Sequence, residues 1–218
     1  TYTASGSDIL IDGGTGVITF NSAPDYETKT SFTSTVTATD GLNSSSQDIT
    51  IAVNNLNDNS PVLTSETDFT IDENTSDVGT ISGSDADGDV LAYSISGTDA
   101  DSLSIDSSTG VLSFNEITDY ETKTSYSLNL IISDGVNSVT NAATISINNL
   151  NDNSPTFTSD DTFSIAENES SIGTASATDA DTGSSVSYSV DNSVNQKVEV
   201  SVAANANGSG NVYVISGV

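Results

Sequence analysis

The chain has 218 residues, of which 31 are acidic and three are lysine, giving a net charge of −28. That balance argues against nucleic acid and anionic membrane as partners, because both are bound through Lys and Arg. With no His or Cys, the usual catalytic triads are missing too, and disulfides do not hold the fold. No apolar run approaches the roughly 20 residues that cross a bilayer, so no membrane insertion is expected in this segment, and Thr1–Leu10 lacks a signal-peptide pattern.

Internal repetition fixes the organisation. Asn54–Pro61, with the sequence Asn-Asn-Leu-Asn-Asp-Asn-Ser-Pro, recurs at Asn148–Pro155, and Asp25–Ser31 recurs at Asp119–Ser125. Asp85-Ala86-Asp87 recurs at Asp179–Asp181 and Glu73-Asn74 at Glu167-Asn168, always 94 residues further on. One domain therefore takes about 94 residues: 1–60 is a partial copy, 61–154 a complete one, and 155–218 a second partial copy.

In chain order, the first copy begins near a third strand, since Tyr2 matches Tyr93 and Gly16–Phe20 matches Gly110–Phe114. In the complete copy, short apolar alternation predicts strands at Phe69–Ile71, Val78–Gly83, Val90–Ser96, Leu103–Ile105, Val111–Phe114, Tyr126–Ile132 and Thr144–Asn148. A turn at Ser107-Ser108-Thr109-Gly110 joins the fourth and fifth of these. Seven short strands and no 3.6-residue period predict an all-β chain of tandem seven-stranded, immunoglobulin-like β-sandwiches in a linear array. The last copy is expected to hold strands one to three. Its divergent tail then reads as a hairpin: Val198, Val200 and Val202, a turn at Asn207-Gly208-Ser209-Gly210, and Val212–Ile215. Both end pieces contain strands three to five, so exchange between molecules would duplicate strands. A fragment of a longer repeat array is the reading preferred.

Strand parity then places the carboxylates. Successive strands run down and up, so Glu73, Asp119, Glu121 and the Asn149–Asn153 linker gather at one pole of the complete domain. Asp85, Asp87 and Asp134 gather at the other. Each linker leads from the bottom of one domain to the top of the next, which brings two acidic clusters together across an oxygen-rich segment. Like charges at such a junction repel. A calcium ion would convert the same oxygens into a coordination shell, whereas magnesium prefers a tight octahedron and keeps its waters.

Glu-Asn after strand one, Asp-Ala-Asp, Asp-Tyr-Glu, Ser-Asp-Gly and Asn-Asp-Asn-Ser-Pro, in this order and at this period, resemble cadherin repeats. The resemblance implies an extracellular or cell-surface rod stiffened by several calcium ions at each junction. It implies ligands at a first junction from Asp25, Glu27, Asn55, Asn57, Asp58, Asp85, Asp87 and Asp134, with the carbonyls of Leu56 and Asn59. At a second junction it implies Glu73, Asp119, Glu121, Asn149, Asn151, Asp152, Asp179 and Asp181. Asn55 and Asn149 stand where the family usually has Asp, which implies weaker calcium affinity. Abundant Thr, Ser, Asn and Asp with little Lys also resembles the repeat arrays of large bacterial surface adhesins.

The expected function is a calcium-rigidified spacer in cell-surface or homophilic adhesion, with calcium ions, other copies of itself or neighbouring repeats as partners. The alternative is a structural subunit of an extracellular filament or surface layer. Asp85–Asp89 mimics the start of an EF-hand loop, but its glycine is misplaced and no Glu stands at position twelve. Paired carboxylates that repeat with their domains do not suit a glycosidase, so no enzyme is expected. Few aromatics are left over for a carbohydrate-binding platform.

Overall fold

The computed structural model of the chain describes residues 1–189 and the backbone of residues 209–212. In chain order the strands are β1 Tyr2–Ala4, β2 Ile9–Ile11, β3 Ile18–Phe20, β4 Ser31–Thr39, β5 Ser44–Ala52, β6 Val62–Leu63, β7 Asp68–Asp72, β8 Asp77–Thr80 and β9 Gly83–Ser84. They continue as β10 Ala92–Ser96, β11 Leu103–Ile105, β12 Val111–Phe114, β13 Ser125–Ser133, β14 Ser138–Asn148, β15 Thr156–Phe157, β16 Gly173–Thr178 and β17 Ser209–Val212. One turn of 3-10 helix, Ala100–Ser102, precedes β11. Contacts divide the chain into two compact units, one of Thr1–Thr67, Gly79–Leu112 and Leu128–Ala142, the other of Asp68–Val78, Ser113–Ser127 and Ala143–Val218.

In the first unit, β4 and β5 form a long antiparallel hairpin and β1 adds to its open edge, with Thr3 opposite Thr37. The hairpin closes at Asp40, whose Oδ1 accepts the N–H groups of Leu42 at 2.8 Å and Asn43 at 2.7 Å. Such side-chain-to-backbone bonds are why Asp favours turns. β2 pairs with β3, and β10 pairs with β13 just as β1 pairs with β4. Asp106 caps the predicted turn by accepting the N–H groups of Ser108 and Thr109, as Asp12 does for Gly14 and Thr15. Gly110 ends this turn at φ +72, where a Cβ would lie 2.1 Å from the Ile81 carbonyl oxygen, so no other residue fits. Leu128, Leu130 and Ile132 are buried at every second position of β13 and pack among a core that includes Ile81, Leu103 and Leu112. Each such side chain stabilises the fold by about 1.5–3 kcal/mol through burial. Residues 1–60 contain no counterpart of β6–β9, and there the cover is thinner: Ile18 is 40% exposed, whereas Leu112, 94 positions on, is 1% exposed.

In the second unit, Thr144–Asn148 of β14 pairs in parallel with β7, Ile145 opposite Phe69 and Ile147 opposite Ile71. Parity requires this, because strands one and seven of the sandwich run the same way. Phe114, Ala143, Ile145 and Ile147 are buried, and the Phe114 and Tyr126 rings meet edge-on at 4.6 Å. β16 pairs antiparallel with β15 and with β17. Across the complete copy the strand orders are β10-β13-β14-β7 and β11-β12-β8, two sheets of a sandwich.

Several expectations need correction. The predicted strand Val78–Gly83 is two strands, β8 and β9, separated where the Ile81 N–H turns to the Gly110 carbonyl. The third strand starts at Ala92, leaving Val90 exposed, and the two-residue pairing of β6 with β9 was not foreseen. In the last copy, Phe163–Ile165 stays out of a strand because its counterpart Phe69–Ile71 depends on β14, and no equivalent of β14 exists among the described residues. The third strand expected there is likewise not formed over Val186–Ser189. Ser209 and Gly210, expected in a turn, lie in β17. Val198, Val200, Val202 and residues 213–215 fall outside the described residues.

Candidate metal centres

Each acidic cluster lies wholly within one compact unit. The first is built around Asp87, which is 8% exposed. Its Oδ2 accepts the backbone N–H groups of Asp58 at 3.1 Å and Asn59 at 2.8 Å, and its Oδ1 accepts Asn59 Nδ2 at 2.9 Å. Its carbonyl accepts Asn55 Nδ2 at 2.7 Å. Glu27, Asp58 and Asp87 offer oxygens within 4.8 Å of one another, and so do Asp85, Asp87 and Asp89. Asp25 shapes the loop before Glu27, accepting the Glu27 N–H at 3.0 Å and the Thr28 hydroxyl at 2.8 Å. Asp134 accepts the N–H groups of Val136 and Asn137, while Asn57 donates its amide to the Asp134 carbonyl at 3.3 Å. A cleft of about 280 Å³ opens beside the cluster, with Asp25, Tyr26, Glu27, Leu56 and Asp58 in its wall. Of the eight residues expected at the first junction, Glu27, Asp58, Asp85 and Asp87 thus bring carboxylate oxygens together, Asn55 and Asn57 brace them through their amides, and Asp25 and Asp134 fall in neither group of oxygens.

The second cluster is anchored by Glu73, 3% exposed. Its two carboxylate oxygens accept the N–H groups of Leu150 and Tyr120, each at 2.7 Å. Glu73, Asp119 and Glu121 form one group of oxygens within 4.8 Å, and Glu121, Asp152 and Asp181 another. Asp181 plays the part of Asp87: Asn153 donates to it through both its backbone N–H and its side-chain amide, at 2.9 Å each. Asp179 accepts the Asp181 N–H at 2.9 Å, and Asn149 donates to the Thr182 carbonyl at 3.3 Å. Asn151 is exposed, because the partners that hold Asn57 have no counterpart among the described residues.

The side-chain amides of four asparagines were missed as part of these sites. The side-chain amides of Asn59 and Asn153 bridge carboxylates, that of Asn137 donates to Asn57 Oδ1 and to the Asn59 carbonyl, and that of Asn74 donates to Asp152 Oδ2. Asn74 and Asn168 share a left-handed φ near +65, and the recurrence of Glu-Asn was the signal available for Asn74. The Asn59 carbonyl, expected to be a free ligand, is engaged by Asn137.

The electrostatics follow from these contacts. The Asn59 side-chain amide, followed by its backbone N–H, outweighs desolvation and holds the Asp87 carboxyl below its ordinary range. Asn153 does the same for Asp181, and the Thr28 side chain for Asp25. Glu27 is pulled down by its own backbone N–H, but desolvation together with Asp25 and Asp87 leaves it raised. Desolvation, then Glu73 and Asp181, push Glu121 up, and desolvation with Asp85, Asp87 and Asp134 pushes Asp89 up. Lys29 is engaged elsewhere, in an ion pair with Asp8 at 2.8 Å.

These donor sets fit a hard cation. Carboxylate oxygens up to 4.8 Å apart can all reach a calcium ion, whose bonds are about 2.3–2.6 Å long. Asp85 Oδ2 in the first cluster and Asn149 Oδ1 in the second are buried without a hydrogen-bond partner. A buried acceptor without a proton donor is costly and calls for another positive group.

In fold and in the placing of its acidic clusters the chain is similar to cadherin repeats. Residues 66–148 match the family model described as Cadherin domain. The chain is 36% identical to mouse Protocadherin Fat 4 over 128 residues, covering 54% of this chain and 3% of the relative. It is 31% identical to human Protocadherin-23 over 194 residues, covering 83% of this chain and 6% of the relative. The chain therefore spans only a small part of these relatives. Among solved structures, mouse Protocadherin-24 EC1-3 is similar with a TM-score of 0.70 at 25% identity, over 97% of this chain and 76% of that one. Protocadherin Gamma B7 extracellular cadherin domains 1–4 give a TM-score of 0.72 at 20% identity, over 99% and 58% respectively. No helix among the described residues is long and apolar enough to cross a membrane.

Proposed function

We propose that the chain is a run of cadherin repeats, divided at 1–60, 61–154 and 155–218, whose two junctions bind calcium and so stiffen a spacer in cell-surface adhesion. The segment is extracellular. The observation that carries this reading is the pair of buried, partnerless oxygens, Asp85 Oδ2 and Asn149 Oδ1, among converging carboxylates. In the first junction Asp25, Glu27, Asn55, Asn57, Asp58, Asp85, Asp87 and Asp134 hold the ions. In the second, Glu73, Asp119, Glu121, Asn149, Asn151, Asp152, Asp179 and Asp181 do. Calcium would supply a full positive charge beside the donors already there, which are asparagine amides, backbone N–H groups and the hydroxyls of Thr28 and Thr122. Its partners beyond the ion are other copies of itself or neighbouring repeats of a longer chain. A parent among large bacterial surface adhesins is supported by composition alone.

Calorimetric titration tests this. Calcium is expected to bind with affinities toward the weak, millimolar end of calcium modules, because Asn55 and Asn149 lack the charge of an Asp. Binding must also displace protons in mildly acidic buffer. Raised carboxyls at Glu27 and Glu121 are still partly protonated there, and the metal takes only their ionised forms. The apparent enthalpy should then vary with the ionisation enthalpy of the buffer, and affinity should fall as pH drops through the raised values. No heat of binding across the millimolar range would overturn the proposal.

A further inference from the structure

The two clusters are not equivalent, and one difference lies in the loop after the second strand, where two of five residues change. In the first cluster the loop reads Asp85-Ala86-Asp87-Gly88-Asp89; 94 residues on it reads Asp179-Ala180-Asp181-Thr182-Gly183. Gly88 adopts a left-handed φ of +80, which turns the chain back on itself. Asp85 Oδ1 then accepts the N–H groups of both Asp87, at 2.9 Å, and Asp89, at 3.3 Å. The loop is thereby wrapped on its own first carboxylate, and oxygens of all three aspartates come within 4.8 Å. The other oxygen of that carboxylate, Asp85 Oδ2, is buried and has no hydrogen-bond partner. Backbone donors satisfy one side of Asp85, and the other is open to a cation.

We propose that Asp89 is a direct calcium ligand, an additional aspartate that the first cluster has and the second lacks. This rests on the calcium reading above and sharpens it. At the first junction Asp89 restores the negative charge lost at Asn55. At the second, Glu73 is a carboxylate that the first cluster lacks, but Asp89 and Asp134 have no acidic counterpart there among the described residues, which leaves six carboxylates against seven. The first junction therefore loads at lower calcium than the second, so that stiffening proceeds in two steps as calcium rises.

Calcium calorimetry on the full chain tests this with Asp89→Asn, Asp89→Gly (the residue found at the matching place of the second cluster) and Glu66→Gln as an exposed charge control. Asp89→Asn is nearly isosteric and should match the wild-type melt in chelator; Asp89→Gly checks the result independently of amide coordination. The tightest class of sites is expected to weaken about tenfold or more in both Asp89 variants and by less than twofold in Glu66→Gln. The loss should persist in ~1 M salt, where charges farther apart than about 3 Å are screened and only a lost ligand still counts. If wild type binds calcium and both Asp89 variants stay within twofold of it, or their loss vanishes in high salt, Asp89 is not a ligand. If wild type binds none, the calcium reading itself has failed.

Discussion

Calcium chelation is expected to lower the melting temperature of the chain by about 10 °C or more. A calcium module with a Kd of roughly 10⁻⁴–10⁻³ M, placed in ~10 mM calcium, is stabilised by about 1.4–2.7 kcal/mol for each independent site. For a domain of this size each kcal/mol moves the midpoint by roughly 4–8 °C. Part of any rise would come from screening alone, since a net charge of −28 repels itself and calcium chloride adds ionic strength. Sodium chloride at matched ionic strength is therefore the control, with magnesium as the second. Magnesium prefers a near-ideal octahedron and should give much less than calcium. Coincident melts in calcium and in matched sodium chloride would sink the junction model.

Much of this design was legible in the sequence, because it rests on spacing. The 94-residue period and the parity of short strands placed Glu73 with Asp119 and Glu121, and Asp85 with Asp87, as the structure has them. Alternation at Leu128, Leu130 and Ile132 named the core face of β13. What depended on a partner elsewhere was not legible. β6 and β9 are two residues each, too short for any periodicity, and exist only through each other. Phe163–Ile165 repeats the apolar pattern of a strand without, among the described residues, the neighbour that makes one. The asparagines were read as oxygens alone. Yet Asn59 and Asn153 place their N–H donors on Asp87 and Asp181. An amide offers either end, and the composition of a linker does not say which.

Glu73 separates the structural from the metal-binding contribution. Its carboxylate ties the linker to the loop at Tyr120 by accepting the N–H groups of Leu150 and Tyr120 at 2.7 Å each. In Glu73→Gln one oxygen remains, so one of these buried N–H groups faces an NH₂, at a cost of about 1–3 kcal/mol. Removing a negative charge from beside Asp119 and Glu121 works in the opposite direction. The two effects offset, and in chelator the variant should melt within about 2–3 °C of wild type, a window of roughly half a kcal/mol for a domain of this size. In calcium they no longer offset, because the second cluster has lost one of its two most buried carboxylates. The calcium-dependent gain in melting temperature should fall to about half, leaving the share of the first cluster, and the weaker class of sites in calorimetry should lose at least tenfold in affinity. Glu73→Ala gives up both hydrogen bonds as well as the charge, and should melt lower than Glu73→Gln already in chelator. A Glu73→Gln chain that keeps the full calcium-dependent gain would show that the second cluster holds no calcium. A large drop confined to chelator would reduce Glu73 to a structural tie.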